Sequence, residues 1–259
     1  GLTLARLAGH EAVRTHLGAL AEAAGQVAGP GHRSAATLGG NLCQDTRCVF
    51  YNQSAWWREA NGWCLKRAPG AAPPTRPAPQ GGSSSPAEPD RLERGGAICH
   101  VAPQGTRCHA ACCSDLAPVL LAVGAQLEIA TPQGARTMPL AQLYRDDGAA
   151  HLALAPGEFI STVHVPLRNG RRCAYRKARV RGAMDFPLAG VAVAALFEGA
   201  VIAEIGVGLS GTNSGALKLD GTDALIGHPV DDERLACLGK LVQQQTSPMR
   251  STVTQANYR

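Results

Sequence analysis

Seven of the nine cysteines, Cys43, Cys48, Cys64, Cys99, Cys108, Cys112 and Cys113, fall within 71 of the 259 residues. No other feature limits so strongly what this chain can fold into. An odd cysteine total, with no export signal in the polar and charged stretch from Gly1 to Ala24, argues against a disulfide framework. Reduced thiols fit a cytoplasmic setting. The segment opens directly after a small glycine-rich turn, Thr37-Leu-Gly-Gly-Asn41. A cysteine-dense stretch beside such a turn points to a soft-metal or iron–sulfur site next to an anion or cofactor cradle. That pairing favours electron transfer over hydrolysis.

The spacing narrows the chemistry. Zinc knuckles place ligands in close pairs, roughly two to four residues apart. From Cys48 to Cys64 to Cys99 to Cys108 the gaps are 16, 35 and 9 residues. Residues 68–96 consist of Pro, Ala, Gly and Ser with a few charges, a composition that buries no core and reads as a disordered surface loop tolerated at a loop tip. Taking out the 27 residues 68–94 shortens the middle gap to 8. Four thiolates on so compact an excursion suit a cubane, which needs four sulfur ligands around more than one ion. Burial as small hydrophobes and zinc binding remain open alternatives.

Other classes fall away. No apolar run reaches the roughly 18 residues of a membrane span. The net charge of +5 comes mostly from scattered Arg, with only four Lys, and a nucleic-acid binder concentrates basic residues on one element. Five of the eleven aromatics, Phe50, Tyr51, Trp56, Trp57 and Trp63, sit inside the cysteine segment.

Apolar spacing predicts a helix over 2–24, broken by Gly25 to Gly31 with Pro30 reinforcing the break. An apolar helix is expected from Asp115 through Val123. A strand–turn–strand should cover 126–140, with its turn at Pro132-Gln133-Gly134, and a further strand 159–167. Beyond a boundary near 167–170 come a basic stretch at 176–181, a long apolar helix or strand at 184–197, a strand at 201–209 and a helix at 231–245. Both ends look cut, since the chain starts in a helix and stops at Asn257-Tyr258-Arg259.

Three further constellations each carry a plain reading and a functional one. Thr37, Gly39, Gly40 and Asn41 form either a strand-connecting turn or a cradle for a pyrophosphate or ring edge. Ser114-Asp115 is either a helix N-cap or an acceptor for a ribityl or ribose hydroxyl. Lys177, in Tyr175-Arg-Lys177, lies either on a solvated face or against a flavin, where a cation stabilises the reduced anionic ring.

Together, Thr37-Leu-Gly-Gly-Asn41, Ser114-Asp-Leu-Ala-Pro118, Tyr175-Arg-Lys177 and Asp185-Phe-Pro187 resemble the FAD-binding medium subunits of the xanthine oxidase (molybdenum hydroxylase) family. The stretch between the first two motifs resembles the beta subunits of 4-hydroxybenzoyl-CoA reductases. It carries Arg47-Cys-Val-Phe-Tyr-Asn-Gln-Ser-Ala-Trp-Trp57, Asn61-Gly-Trp-Cys-Leu-Lys66 and Ile98-Cys-His-Val-Ala-Pro-Gln-Gly-Thr-Arg-Cys108. The resemblance implies an α+β fold. Residues 1–167 would be part of a PCMH-type FAD-binding domain lacking its N-terminal half-domain, with an iron–sulfur insertion at 43–113 that contains the loop 68–96. Residues 168–259 would be a smaller α/β C-terminal domain, truncated at its end. It implies FAD contacts from Thr37, Gly39, Gly40, Asn41, Asp115 and Lys177, and a [4Fe–4S] cluster on Cys48, Cys64, Cys99 and Cys108. Cys43, Cys112 and Cys113 lie near enough to exchange with these ligands, while Cys173 and Cys237 read as core. Implied partners are a large subunit with the molybdenum cofactor and a small subunit with [2Fe–2S] clusters, in a dimer of heterotrimers, with ferredoxin as donor and neither nucleic acid nor membrane. The implied activity is reductive dehydroxylation of 4-hydroxybenzoyl-CoA on the molybdenum subunit. An ordinary hydroxylase subunit passing electrons outward, and a zinc-binding interaction module, are the rival readings.

Overall fold

The computed structural model describes residues 1–66 and 98–249; the low-complexity stretch 68–96 and the chain end at 257–259 fall outside them. The N-terminal periodicity is not one helix but three: α1 (Leu4–Gly9), α2 (Glu11–His16) and α3 (Gly18–Gly25). His10 (φ −73°, ψ 124°) and Leu17 (φ −141°, ψ 46°) leave helical space. A glycine stands beside each break, where helix propensity is low. Folding the segment back on itself buries Leu4, Leu7, Leu17, Leu20 and Ala23 together. Pro30, expected only to reinforce the break, occupies the first turn of α4 (Pro30–Ala35), where its missing N–H costs nothing.

The expected turn at the glycine pair is also a helix start. Thr37 caps α5 (Leu38–Leu42), its Oγ1 accepting from the Gly40 N–H at 3.0 Å. Within the insertion, Ser54 caps α6 (Ala55–Ala60). The expected apolar helix is α7 (Leu116–Ala122), buried on every side and therefore central to the core.

Two antiparallel sheets flank it. One has the order β2-β1-β3, with β1 (Gln126–Thr131), β2 (Gly134–Pro139) and β3 (Phe159–His164). The other runs β4-β5-β6-β7, from β4 (Arg172–Ala178), β5 (Ala189–Glu198), β6 (Val201–Ser210) and β7 (Leu217–Lys218). The stretch left open between helix and strand is thus a strand from Ala189 onward. Asp231 caps α8 (Asp232–Gln245), accepting from the Arg234 N–H at 2.8 Å. Among the described residues no helix is long and apolar enough to cross a membrane.

Helix α7 lies directly on β6, with no side chains between them. A Cβ on Gly208 would stand 2.1 Å from the Pro118 carbonyl oxygen, and one on Gly206 2.2 Å from that of Ala122. Alternate residues share a strand face. Across the ladder, Gly206 pairs with Ala194 and Gly208 with Ala192, so the whole seat of the helix is made of small residues. Gly208→Ala is therefore expected to lower stability by about 1–3 kcal/mol through overpacking. Gly239→Ala, in α8 with nothing within 4 Å, should be neutral or slightly stabilising. Urea unfolding of both variants checks the contrast.

Candidate functional site

A cavity of about 560 Å³ opens where the start of α5 faces β3. Thr37, Leu38, Gly39, Gly40 and Cys43 form one wall, and Glu158 to Val163 form another. The two glycines present bare backbone here, so a bound ring or phosphate can come within contact of the main chain. Opposite them, Glu158 is fixed by Arg136 at 2.8 Å and accepts from the Ala155 N–H at 2.8 Å. The Arg136 pair holds its carboxyl down at about 2. Phe159, 62% exposed, offers an apolar face beside it.

Of the six residues expected to contact a flavin, Thr37, Gly39 and Gly40 line this cavity; Asn41, Asp115 and Lys177 do not. Asn41 is buried and acts as a joint. Its Oδ1 accepts from Ser114 Oγ at 2.8 Å and from the Leu116 N–H at 3.3 Å. It thereby ties α5 to the start of α7, and Ser114 Oγ in turn accepts from the Ala117 N–H at 3.1 Å. The plain N-cap reading of Asp115 fails, because its side chain makes no cap bond. Asp115 instead accepts from Tyr175 Oη at 2.7 Å and pairs with Lys177 Nζ at 2.9 Å. The solvated-face reading of Lys177 fails as well, since its side chain is 0% exposed and Nζ also donates to Gln26 O at 3.3 Å. Burial raises the Asp115 carboxyl, with Lys177 and Tyr175 opposing. Nearby, the Ser210 and Thr212 hydroxyls are buried without a hydrogen-bond partner. Ser210 Oγ and Tyr175 Oη both lie within 3.3 Å of where a Cβ on Gly190 would stand.

The second centre is built from the cysteines. All nine are free. Arg47 and Ala111 exchange two backbone hydrogen bonds of 2.8 Å, clipping together the two arms of the insertion. Leu65 N–H donates to Ile98 O at 3.2 Å, which brings Cys64 beside Cys99. Cys48, Cys64, Cys99 and Cys108 are all buried. Burial raises the Cys48 thiol, the Tyr51 and Phe50 N–H groups that bond its sulfur oppose this, and the Cys99 and Cys64 thiols lie close enough to raise it further. Burial likewise pushes Cys108 up to about 11, with the Ala110 N–H bonding its sulfur and Cys99 and Cys48 adding to the rise. Cys48 and Cys108 pack in one buried cluster, and Cys64 and Cys99 are brought to it by the Leu65–Ile98 hydrogen bond. Cys43 faces the cavity, Cys112 sits in the main core, and Cys113 donates to Ala111 O at 3.4 Å beside Cys48 and Cys108. Cys173 and Cys237, expected in the core, are half-buried. Among the described residues no group of three or more His, Cys, Asp and Glu side chains is placed to hold a metal ion.

Sequence reasoning missed Lys66, which is 6% exposed. Its Nζ donates to Asp45 Oδ1 at 2.6 Å, to Thr46 O at 3.1 Å and to Thr46 Oγ1. It also missed the β3 wall of the cavity and Tyr175 Oη. The one signal for Lys66 was its position two residues after Cys64 in a chain with four lysines.

The glycine-walled cavity, on this frame of short helices and two antiparallel sheets, is that of a cofactor-binding domain. The chain belongs to the family described as FAD binding domain in molybdopterin dehydrogenase, matched over residues 1–168, and residues 173–259 match the CO dehydrogenase flavoprotein C-terminal domain. The bare backbone of Gly39 and Gly40 at the cavity wall fits such a cofactor. The aldehyde oxidoreductase FAD-binding subunit PaoB of Escherichia coli is 33% identical over 190 residues, 72% of this chain and 53% of that one. The glyceraldehyde dehydrogenase medium chain of Sulfolobus acidocaldarius is 26% identical over 155 residues, 60% and 51% of the two chains. The chain thus spans about half the length of these relatives. A carbon monoxide dehydrogenase structure from Hydrogenophaga pseudoflava shares the fold, with TM-score 0.69, 19% identity, and cover of 99% of this chain and 66% of that one.

Breaking the Asp115–Lys177 pair strands a buried ammonium. Asp115→Asn is expected to cost about 3–5 kcal/mol. The double variant with Lys177→Met should recover part of that loss, as read from urea unfolding midpoints at pH 7.

Proposed function

We propose that this chain is the flavin-bearing electron-transfer part of a multi-subunit molybdenum-hydroxylase oxidoreductase, and that Cys48, Cys64, Cys99 and Cys108 hold a [4Fe–4S] cluster close to the flavin. The observation that carries the reading is the burial of those four thiols in an insertion whose arms are tied by the Arg47–Ala111 and Leu65–Ile98 hydrogen bonds, one short segment from the glycine-walled cavity. Cys43, on the cavity wall, precedes Cys48 by five residues, and five residues of chain reach at most about 18 Å. Those four cysteines, 16, 35 and 9 residues apart and without a close C-x(2–4)-C pair among them, support a cubane over zinc.

When bound, FAD supplies interchange between one- and two-electron transfer, and the cluster supplies one-electron transfer. The chain's residues bind and position. Thr37, Gly39 and Gly40 would meet the flavin cofactor with backbone, while Asn41, Asp115 and Lys177 would hold the surrounding segments in register. In this reading residues 1–167 form the flavin part and residues 168–259 the C-terminal part. The substrate reacts on a large subunit with the molybdenum cofactor, and [2Fe–2S] centres on a small subunit link the two, in a cytoplasmic dimer of heterotrimers. The relatives' names, an aldehyde oxidoreductase and a glyceraldehyde dehydrogenase, favour electrons running outward, from substrate to acceptor.

The insertion favours a second direction. Its cysteine spacing and flanking residues resemble 4-hydroxybenzoyl-CoA reductases, in which electrons enter from ferredoxin and the complex removes a phenolic hydroxyl reductively. Two measurements test these readings on the anaerobically prepared complex. Cys64→Ser should lose the roughly four irons and four acid-labile sulfides of a cubane, with far-ultraviolet circular dichroism unchanged; full retention of both overturns the ligand set. Flavin bleaching by an aldehyde, with none by reduced ferredoxin, establishes the outward reading. Bleaching by reduced ferredoxin coupled to loss of hydroxyl from 4-hydroxybenzoyl-CoA establishes the other.

A further inference from the structure

Lys66 is a buried cation in the cysteine insertion that does not line the flavin cavity. Its side chain is 7% exposed, yet its salt-bridge partner Asp45 is 63% exposed. Thr46 supplies the two remaining acceptors, its carbonyl and its hydroxyl. The ammonium also stands 4.9 Å from the centre of the Tyr51 ring, and Tyr51 packs with Cys48 and Cys108. On one side the charge therefore faces a carboxylate solvated by water. On the other it stands over the Tyr51 ring, which is packed against the buried cluster holding Cys48 and Cys108, where charges interact more strongly than in water.

We propose that Lys66 is a positioning residue that sets the reduction potential of the iron–sulfur cluster, holding a fixed positive charge beside its ligands. The inference rests on the reading that Cys48, Cys64, Cys99 and Cys108 carry a [4Fe–4S] cluster. One-electron reduction of a cluster with four thiolates adds negative charge to a group that is already anionic, and net charge around the sulfurs is a recognised determinant of potential. A buried ammonium stabilises the reduced form and so raises the potential. Asp45 opposes this only weakly, because water screens an exposed carboxylate.

The test is an anaerobic redox titration, followed by EPR, of the full chain prepared with its partner subunits, with iron and acid-labile sulfide measured on each sample. Lys66→Met should shift the cluster potential negative and Lys66→Arg should leave it near wild type. Asp45→Asn should shift it positive, by less than Lys66→Met shifts it down. A merely structural lysine does not produce shifts of opposite sign. Unchanged potentials in Lys66→Met and Asp45→Asn, at full iron and sulfide, overturn the role of Lys66 and leave the cluster reading intact. Wild-type protein without iron and sulfide overturns the cluster reading and this inference with it. If Lys66→Met alone loses the cluster, Asp45→Asn decides: a positive shift upholds the inference and no shift overturns it.

Discussion

The bare contact between α7 and β6 is the constraint on which the rest of the structure depends. Pro118 and Ala122 rest their carbonyl groups on Gly208 and Gly206 at distances that admit no Cβ. That contact fixes the height of α7 above the four-stranded sheet and hence the position of everything at its N-terminal end. Asp115 arrives level with Tyr175 and Lys177 of β4. Ser114 arrives within reach of Asn41, which anchors the glycine-walled helix α5. Ala111 arrives opposite Arg47, closing the neck of the cysteine insertion. The cavity and the thiol group are thus both hung from one helix end, although their residues are spread over more than a hundred positions of sequence.

Much of the frame was legible because its signals are local. The apolar helix at α7, the turn between β1 and β2 and the Asp231 cap each depend on residues a few positions apart. The N-terminal helix was misread because the same apolar spacing serves one long helix or three short ones. The choice is made by burial against α7 and β4, which spacing does not encode. The glycine pair was misread as a turn for a related reason. Thr37 caps a helix there, and the helix exists because Asn41, at its far end, is held by Ser114 from 73 residues away.

The site was legible in its chemistry and not in its connections. The spacing left after the low-complexity stretch suggested a four-thiol set, and the resemblance named its members, with Cys43, Cys112 and Cys113 left near enough to exchange. Asp115 and Lys177 were singled out as flavin contacts, and the pairing the structure gives them with each other was invisible in the sequence. The cap bond falls to Ser114, which accepts from the Ala117 N–H, while the solvated-lysine reading failed because β4 brings Lys177 against Asp115 across 62 residues. The β3 wall, with Glu158 and Phe159, carried no motif at all. Its place opposite Gly39 follows from sheet order alone.

The two buried lysines illustrate how counter-ion exposure decides what a charge does. Lys177 faces a carboxylate with a side chain 5% exposed. In low dielectric the two charges nearly cancel beyond their own dimensions, and the pair behaves as a dipole that fixes geometry. Lys66 faces a carboxylate that water already screens, so its positive field persists toward the interior, where the sulfurs lie. The same residue type thus serves as a structural clamp between α7 and β4 and as a source of potential beside the thiols. The difference lies in where the acid partner stands.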